Sequence, residues 1–141
     1  MVIEMKGIYT LLIELEENKK MQVGALGNLD FDEGYYVYVG SAQNGLEARI
    51  DRHLNDKKNI HWHIDYLLDN AEIIDIYISQ LGKEEECKVA EYLASRLDLI
   101  DDFGCSDCEC FSHLFYSENL DNLINLLKQY NCNGLQRYEG K

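Results

Sequence analysis

The alternation of apolar and polar positions divides the chain into short elements. Ile8 to Glu16 (Ile-Tyr-Thr-Leu-Leu-Ile-Glu-Leu-Glu) is rich in strand formers and predicts a first β-strand. Glu17-Asn18-Lys19-Lys20 reads as a turn, and Met21 to Leu26 as a second short strand forming a hairpin with the first. Asn28 to Gly34 reads as an acidic loop ending on glycine, and Tyr35 to Val39 as a third, aromatic strand. The rhythm then changes. Leu46, Ile50 and Leu54 recur every four residues and predict a helix from about Gly45 to Asn55. A second helix is expected from about Trp62 to Asn70, burying Ile64, Leu67, Leu68 and Ala71. Ile73 to Ser79 predicts a strand, Glu84 to Leu97 a helix opened by three glutamates that suit its N-terminal dipole, and Phe111 to Tyr116 a short strand. Leu120, Leu123, Ile124 and Leu127 form the stripe of a last amphipathic helix. The order β-β-β-α-α-β-α-β-α predicts an α/β (α+β) fold whose mainly antiparallel sheet is flanked by helices. One domain is expected over residues 1–133, with a frayed tail over 134–141.

Composition narrows the class. The 141 residues suit one domain with a real core. No apolar run approaches the ~18 residues a membrane helix needs, so no membrane partner is expected. The opening Met1-Val2-Ile3-Glu4-Met5-Lys6 lacks the regions of a signal peptide, which favours the cytoplasm. The five cysteines, an odd number, argue against a disulfide framework and for metal ligands or reduced thiols. The formal net charge of −13 opposes nucleic-acid binding, which usually leaves a basic footprint. The charge is uneven, however. Between residues 35 and 63, Arg49, Arg52, Lys57 and Lys58 outnumber Glu47, Asp51 and Asp56, and three of the four histidines lie there as well. A locally basic face on an acidic body is compatible with an anionic partner.

Gly7-Ile8-Tyr9 and Tyr38-Val39-Gly40 fall on predicted strands. Arg49 and His53, at i and i+4, share a face of the following helix beside Leu46 and Ile50. A single Tyr in a strand is more often packing than chemistry, but the ordered set points to a site. The set Gly-Ile-Tyr, Tyr-Val-Gly and Arg-x-x-x-His resembles the GIY-YIG endonuclease superfamily. The chain is more closely similar to a small branch of it, common in archaea and some bacteria, whose members stand alone or are fused to a base-excision-repair glycosylase. The resemblance runs through Gly40-Ser41-Ala42, Arg49 to Leu54, His61 to Leu67 and Phe103 to Cys110, and covers residues 7 to about 116. It implies a GIY-YIG-type sheet and metal-dependent hydrolysis of phosphodiester bonds, DNA favoured, with a place in DNA repair and a repair-protein partner. By this resemblance Tyr38 activates the attacking water, Tyr9 helps position it, and Arg49 neutralises the scissile phosphate. A guanidinium binds phosphate oxygens bidentately and stays charged at any working pH. A phenol, with an ordinary pKa near ~10, needs a nearby cation to act as a base at neutral pH. His53 is placed to assist proton transfer or to hydrogen-bond the phosphate. The 28 residues between Tyr9 and Tyr38 exceed the superfamily's usual spacing, and an inserted hairpin accounts for the difference.

The superfamily holds one divalent ion, Mg²⁺ or Mn²⁺, on a glutamate of a later helix, a mode suited to an ion that retains several waters. Glu91 matches by spacing from the helix start, and Glu86, next to Cys87, by resemblance to the branch. Either His61 or His63 is a further catalytic candidate, and His61 is also spaced to pair with Asp65. Arg52, Lys57, Lys58 and Trp62 are candidates for substrate binding, the Trp by stacking on a base or ribose. Cys105-x-x-Cys108-x-Cys110-x-x-His113 suggests a structural zinc, with Cys87 able to replace Cys105. The bland alternative is a cluster of reduced, half-buried thiols. The competing reading of the whole chain is a non-catalytic module of the same fold that binds a partner or a metal. Oligomeric state is not legible in the sequence.

Overall fold

The computed structural model describes residues 7–42, 45–54, 63–79, 84–100, 103, 112–130 and 136–137. In chain order the elements are β1 (Gly7–Leu15), β2 (Lys19–Gln22), a 3-10 turn (Gly24–Leu26), β3 (Asn28–Phe31), β4 (Gly34–Ala42), α1 (Leu46–Leu54) and α2 (His63–Leu68). They continue with β5 (Glu72–Ser79), α3 (Glu84–Ala94), β6 (Asp98–Leu99), β7 (Leu114–Ser117), α4 (Leu120–Tyr130) and β8 (Gln136–Arg137). Six strands form one sheet in the order β6-β7-β4-β1-β5-β8, and every pairing in it is antiparallel.

The mixed α+β architecture expected from the sequence is the one observed. β1 lies inside the sheet and is covered on both faces, so its sequence reads as a nearly unbroken apolar run instead of an alternation. Tyr9, Leu11, Ile13 and Leu15 join one apolar layer with Tyr36 and Tyr38 of β4, Leu46 and Ile50 of α1, and Ile64 and Leu67 of α2. Ile8 and Leu12 join the opposite layer with Val37, Val39, Val89, Ala90 and Leu93 of α3, and Leu123, Leu126 and Leu127 of α4. Tyr92 Oη donates to the Leu126 carbonyl at 2.8 Å and ties α3 to α4. Helices therefore cover both faces, α1 and α2 on one and α3 and α4 on the other.

Several details depart from expectation. The hairpin is not β1 with Met21–Leu26. Instead β2 pairs with β3 as a separate two-stranded sheet, in the register Lys19↔Phe31 to Gln22↔Asn28. Gly24 interrupts the run after Val23, and the chain turns through the 3-10 segment, closed by Val23 N–H donating to Gly27 O at 2.8 Å. The segment read as an acidic loop thus supplies β3. Its Phe31 is buried in the same layer as α2 and Leu29 packs against it while the acidic neighbours face outward, and two apolar residues were too short a run to read as a strand. Leu54, predicted on the buried edge of α1, is 49% exposed, and His53 is buried in its place. β6 was not anticipated, since two residues carry no period. Gln136 and Arg137, within the segment expected to fray, pair with Ile78 and Tyr77 of β5.

Candidate functional site

The site lies at the end of the sheet where β1 begins and β4 ends. Their register sets Tyr9 opposite Gly40 and Gly7 opposite Ala42. Both motif glycines are sterically required there. A Cβ on Gly40 would stand 2.5 Å from the Tyr9 ring, and a Cβ on Gly7 would collide with the Ser79 carbonyl oxygen. The Tyr9 ring crosses over Gly40, and its Oη lies 2.8 Å from His53 Nε2. Tyr38 precedes Gly40 by two positions on the same strand face. Its ring centroid is 6.4 Å from that of Tyr9 and 6.3 Å from that of His53.

The helix phase of α1 delivers the remaining groups. Leu46, Arg49, Ile50 and His53 follow i, i+3, i+4, i+7, the spacing of a core-facing stripe. Two of those four positions carry polar residues, so the helix packs its chemistry into the sheet along with its leucine and isoleucine. Arg49 Nη1 donates to the Ser41 carbonyl at 3.1 Å. The same residue reaches the other face of the sheet, where Ser41 Oγ donates to Glu86 Oε1 at 3.2 Å. His113 Nδ1 lies 3.3 Å from Glu86 Oε2. Glu86 shares the inner stripe of α3 with Ala90 and Leu93, whereas Glu91 is exposed on another face. Of the two candidate carboxylates, Glu86 is the one whose charge acts on Tyr9 and Tyr38, and Ser41 links it to Arg49.

Electrostatics at the site are dominated by burial. Desolvation pushes the Tyr9 phenol up to about 12, against the charge of Arg49 and a hydrogen bond from it, which pull it down. Burial also raises Tyr38 well above the ordinary phenol value, with Tyr9 and Glu86 adding to the rise and Arg49 opposing it. Both phenols therefore hold their protons at neutral pH, and Arg49 alone does not reverse this. Burial lowers His113 below its ordinary value of 6.5, which favours the neutral ring beside Glu86.

A family model described as Domain of unknown function DUF123 matches residues 8–133. The chain belongs to that family. No curated protein and no solved structure matches it.

Other candidate residues of this DUF123 chain occupy different positions. Arg52, a candidate for substrate binding, forks onto Asp65 of α2, with Nη1 and Nη2 donating to the two carboxylate oxygens at 3.0 and 2.9 Å. Asp65 is fully buried, so this charge-assisted pair joins α1 to α2. The pairing of Asp65 expected for His61 involves a residue outside the described ones. His63 stands at the start of α2 with its ring centroid 5.5 Å from Phe103, which in turn lies 6.3 Å from Tyr38. Burial lowers its pKa. His63 therefore borders the tyrosine cluster through Phe103. Lys57, Lys58, His61, Trp62, Cys105, Cys108 and Cys110 lie outside the described residues. Cys87 is half-buried on α3 next to Glu86, and His113 is buried. Among the described residues, no group of three His, Cys, Asp or Glu side chains forms a ready-made metal cage. Likewise no described helix is long and apolar enough to cross a membrane.

Sequence reasoning passed over Ser41 as a site residue and read His113 only as a zinc candidate. Ser41 did lie inside the Gly40-Ser41-Ala42 motif. Its link to Glu86 was hidden because it joins two elements 45 residues apart.

Proposed function

We propose that this DUF123 chain is a metal-dependent nuclease that hydrolyses phosphodiester bonds of nucleic acid, with DNA as the favoured substrate. The observation that carries the reading is the meeting of Tyr9, Tyr38, Arg49, His53 and Glu86, from β1, β4, α1 and α3, at one end of the sheet. This mixture of a guanidinium, two phenols, an imidazole and one carboxylate suits phosphate chemistry better than it suits packing. A solvent-free packing role would favour apolar side chains at those positions.

Glu86 would hold the ion. A single carboxylate fits the way Mg²⁺ is bound, through one or two carboxylates and retained waters, better than it fits an all-protein cage. Bound there, Mg²⁺ or Mn²⁺ would supply Lewis-acid stabilisation of the phosphate's charge. Arg49 binds the scissile phosphate, its guanidinium already held in place by the Ser41 carbonyl. Tyr38 aligns the attacking water by hydrogen bonding and becomes a base only where added positive charge offsets its burial. The Tyr9–His53 hydrogen bond fixes the ring over Gly40 and keeps a proton-bearing pair beside the phosphate. The acidic side chains Glu14, Glu16, Glu33 and Glu118 line a groove of about 510 Å³ at the far end of the β1–β4 ladder, away from where an anionic substrate would sit. The alternative, a non-catalytic module that binds a partner or a metal, is favoured by the net charge of −13 and by the protonated phenols. A structural zinc on Cys108, Cys110, His113 and either Cys87 or Cys105 also remains a proposal.

The test is cleavage of labelled single-stranded, duplex and branched DNA with Mg²⁺ or Mn²⁺. The nuclease reading expects cutting by the wild type and a loss of about 10²–10³-fold in Arg49→Ala and Tyr38→Phe. No cutting by pure, folded protein at low salt would favour the binding module.

A further inference from the structure

We propose that His113 is a positioning residue which, together with Ser41, clamps the two oxygens of Glu86 in the orientation needed to receive a divalent cation. The inference rests on the reading of Glu86 as the metal-holding carboxylate and assigns it two specific partners. Ser41 Oγ donates to Oε1 at 3.2 Å, and His113 Nδ1 meets Oε2 at 3.3 Å. A carboxylate oxygen can take more than one partner, so these contacts orient the group without by themselves excluding an ion.

Both partners sit on rigid backbone. Ser41 belongs to β4 and pairs with Ile8 of β1. His113 is pinned from two sides, its N–H donating to Phe103 O at 2.8 Å and its carbonyl accepting from Val39 N–H at 2.9 Å. Its neighbour Ser112 closes a local loop, with Oγ accepting from Leu114 N–H at 2.9 Å and donating to Leu114 O at 3.0 Å. The His113 ring has little freedom to turn, and its side chain is 4% exposed. Glu86, by contrast, stands in the first turn of α3 on a long side chain, 12% exposed. A flexible carboxylate between two fixed donors is the arrangement by which outer partners orient a metal ligand. The anchor points of the clamp, β4 and the start of β7, are neighbours in the sheet, so the carboxylate is referenced to the strand that carries Tyr38. His113 on this reading acts through Glu86 and does not touch the substrate.

Mn²⁺ binding to metal-free protein, followed by electron paramagnetic resonance with folding checked by thermal melting, reads this without reference to cleavage. The wild type should bind Mn²⁺ and Glu86→Gln should not. His113→Ala should weaken binding by about 10–100-fold, the usual effect of removing an outer partner. His113→Asn, whose amide nitrogen falls near the Nδ1 position, should recover most of that loss, while His113→Gln, which mimics Nε2, should not. Ser41→Ala should weaken binding in the same direction. Wild-type affinity in His113→Ala, or equal affinity in the Asn and Gln variants, overturns the clamp while leaving Glu86 as the ligand. Zinc content that falls in every His113 variant at unchanged Mn²⁺ affinity would assign His113 to a zinc site and overturn it too. Absence of Mn²⁺ binding in the wild type, or wild-type affinity in Glu86→Gln, removes the metal reading of Glu86 and the clamp with it.

Discussion

Tyr9 Oη and His53 Nε2 lie 2.8 Å apart, and both residues are 2% exposed. This contact joins the first strand to the first helix across 44 residues of sequence and fixes the ring on which the site is built. Tyr9→Phe removes the hydroxyl and leaves a buried ring nitrogen without that partner. The expected cost is about 1–3 kcal/mol in urea denaturation. In a double-mutant cycle with His53→Leu the two changes should couple by about 0.5–3 kcal/mol. Simple additivity would mean that the contact contributes nothing.

Arg52 and Asp65 join α1 to α2 with the Asp65 carboxylate fully buried, and a structural role is predicted for the pair. Arg52→Ala removes the forked cation from a fully buried carboxylate and should destabilise the domain by about 3–5 kcal/mol. Cleavage per folded molecule, measured well below the melting temperature, should be unchanged. If stability holds and cutting falls with substrate affinity, Arg52 belongs to the substrate surface after all.

Gly40 is a position where size alone decides. The Cβ of Gly40→Ala would press into the Tyr9 ring from 2.5 Å. Overpacking of this kind costs about 1–3 kcal/mol. Tyr9 should swing off His53, so cutting should fall by more than the loss of folded protein explains. Unaltered activity would show that the ring's place over the strand is not needed.

The phenols set the alkaline limit of stability. An unfolded Tyr loses its proton near 10, whereas Tyr9 in the folded chain holds it to about 12. The folded state thus binds the proton more tightly, so the stability is fully present below pH 10 and is lost as pH rises from there through about 12. Tyr38 shifts in the same direction. Urea midpoints should therefore drop steadily over that window, and less steeply in Tyr9→Phe. A spectroscopic titration in which all ten tyrosines ionise together near the ordinary value, with the fold intact, would contradict the burial described here.

The parts of this fold legible in sequence were those with many residues per signal. The long apolar run of β1 and the stripes of α1, α3 and α4 are of that kind. So was the set Tyr9, Tyr38, Arg49 and His53, because helix spacing alone places Arg49 and His53 beside Leu46 and Ile50. The choice between Glu86 and Glu91 was open in principle to the same argument. Val89, Ala90 and Leu93 fix the inner face of α3, and Glu86 lies on it while Glu91 does not. Counting from the helix start obscured that phase. β2 with β3, and the clamp of Ser41 and His113 on Glu86, were not legible. Each depends on pairing between segments whose own patterns are short, and a two- to four-residue element has no period to read.

The most direct test of the account is the cleavage rate of Glu86→Gln against Glu91→Gln, under the Mg²⁺ or Mn²⁺ conditions in which the wild type cuts DNA. Glu86→Gln should lose at least about 10²-fold while staying folded, and Glu91→Gln, on the exposed face, should cut like the wild type. Activity that survives Glu86→Gln but disappears with Glu91→Gln, or a folded wild type that cuts nothing, would contradict the site described here.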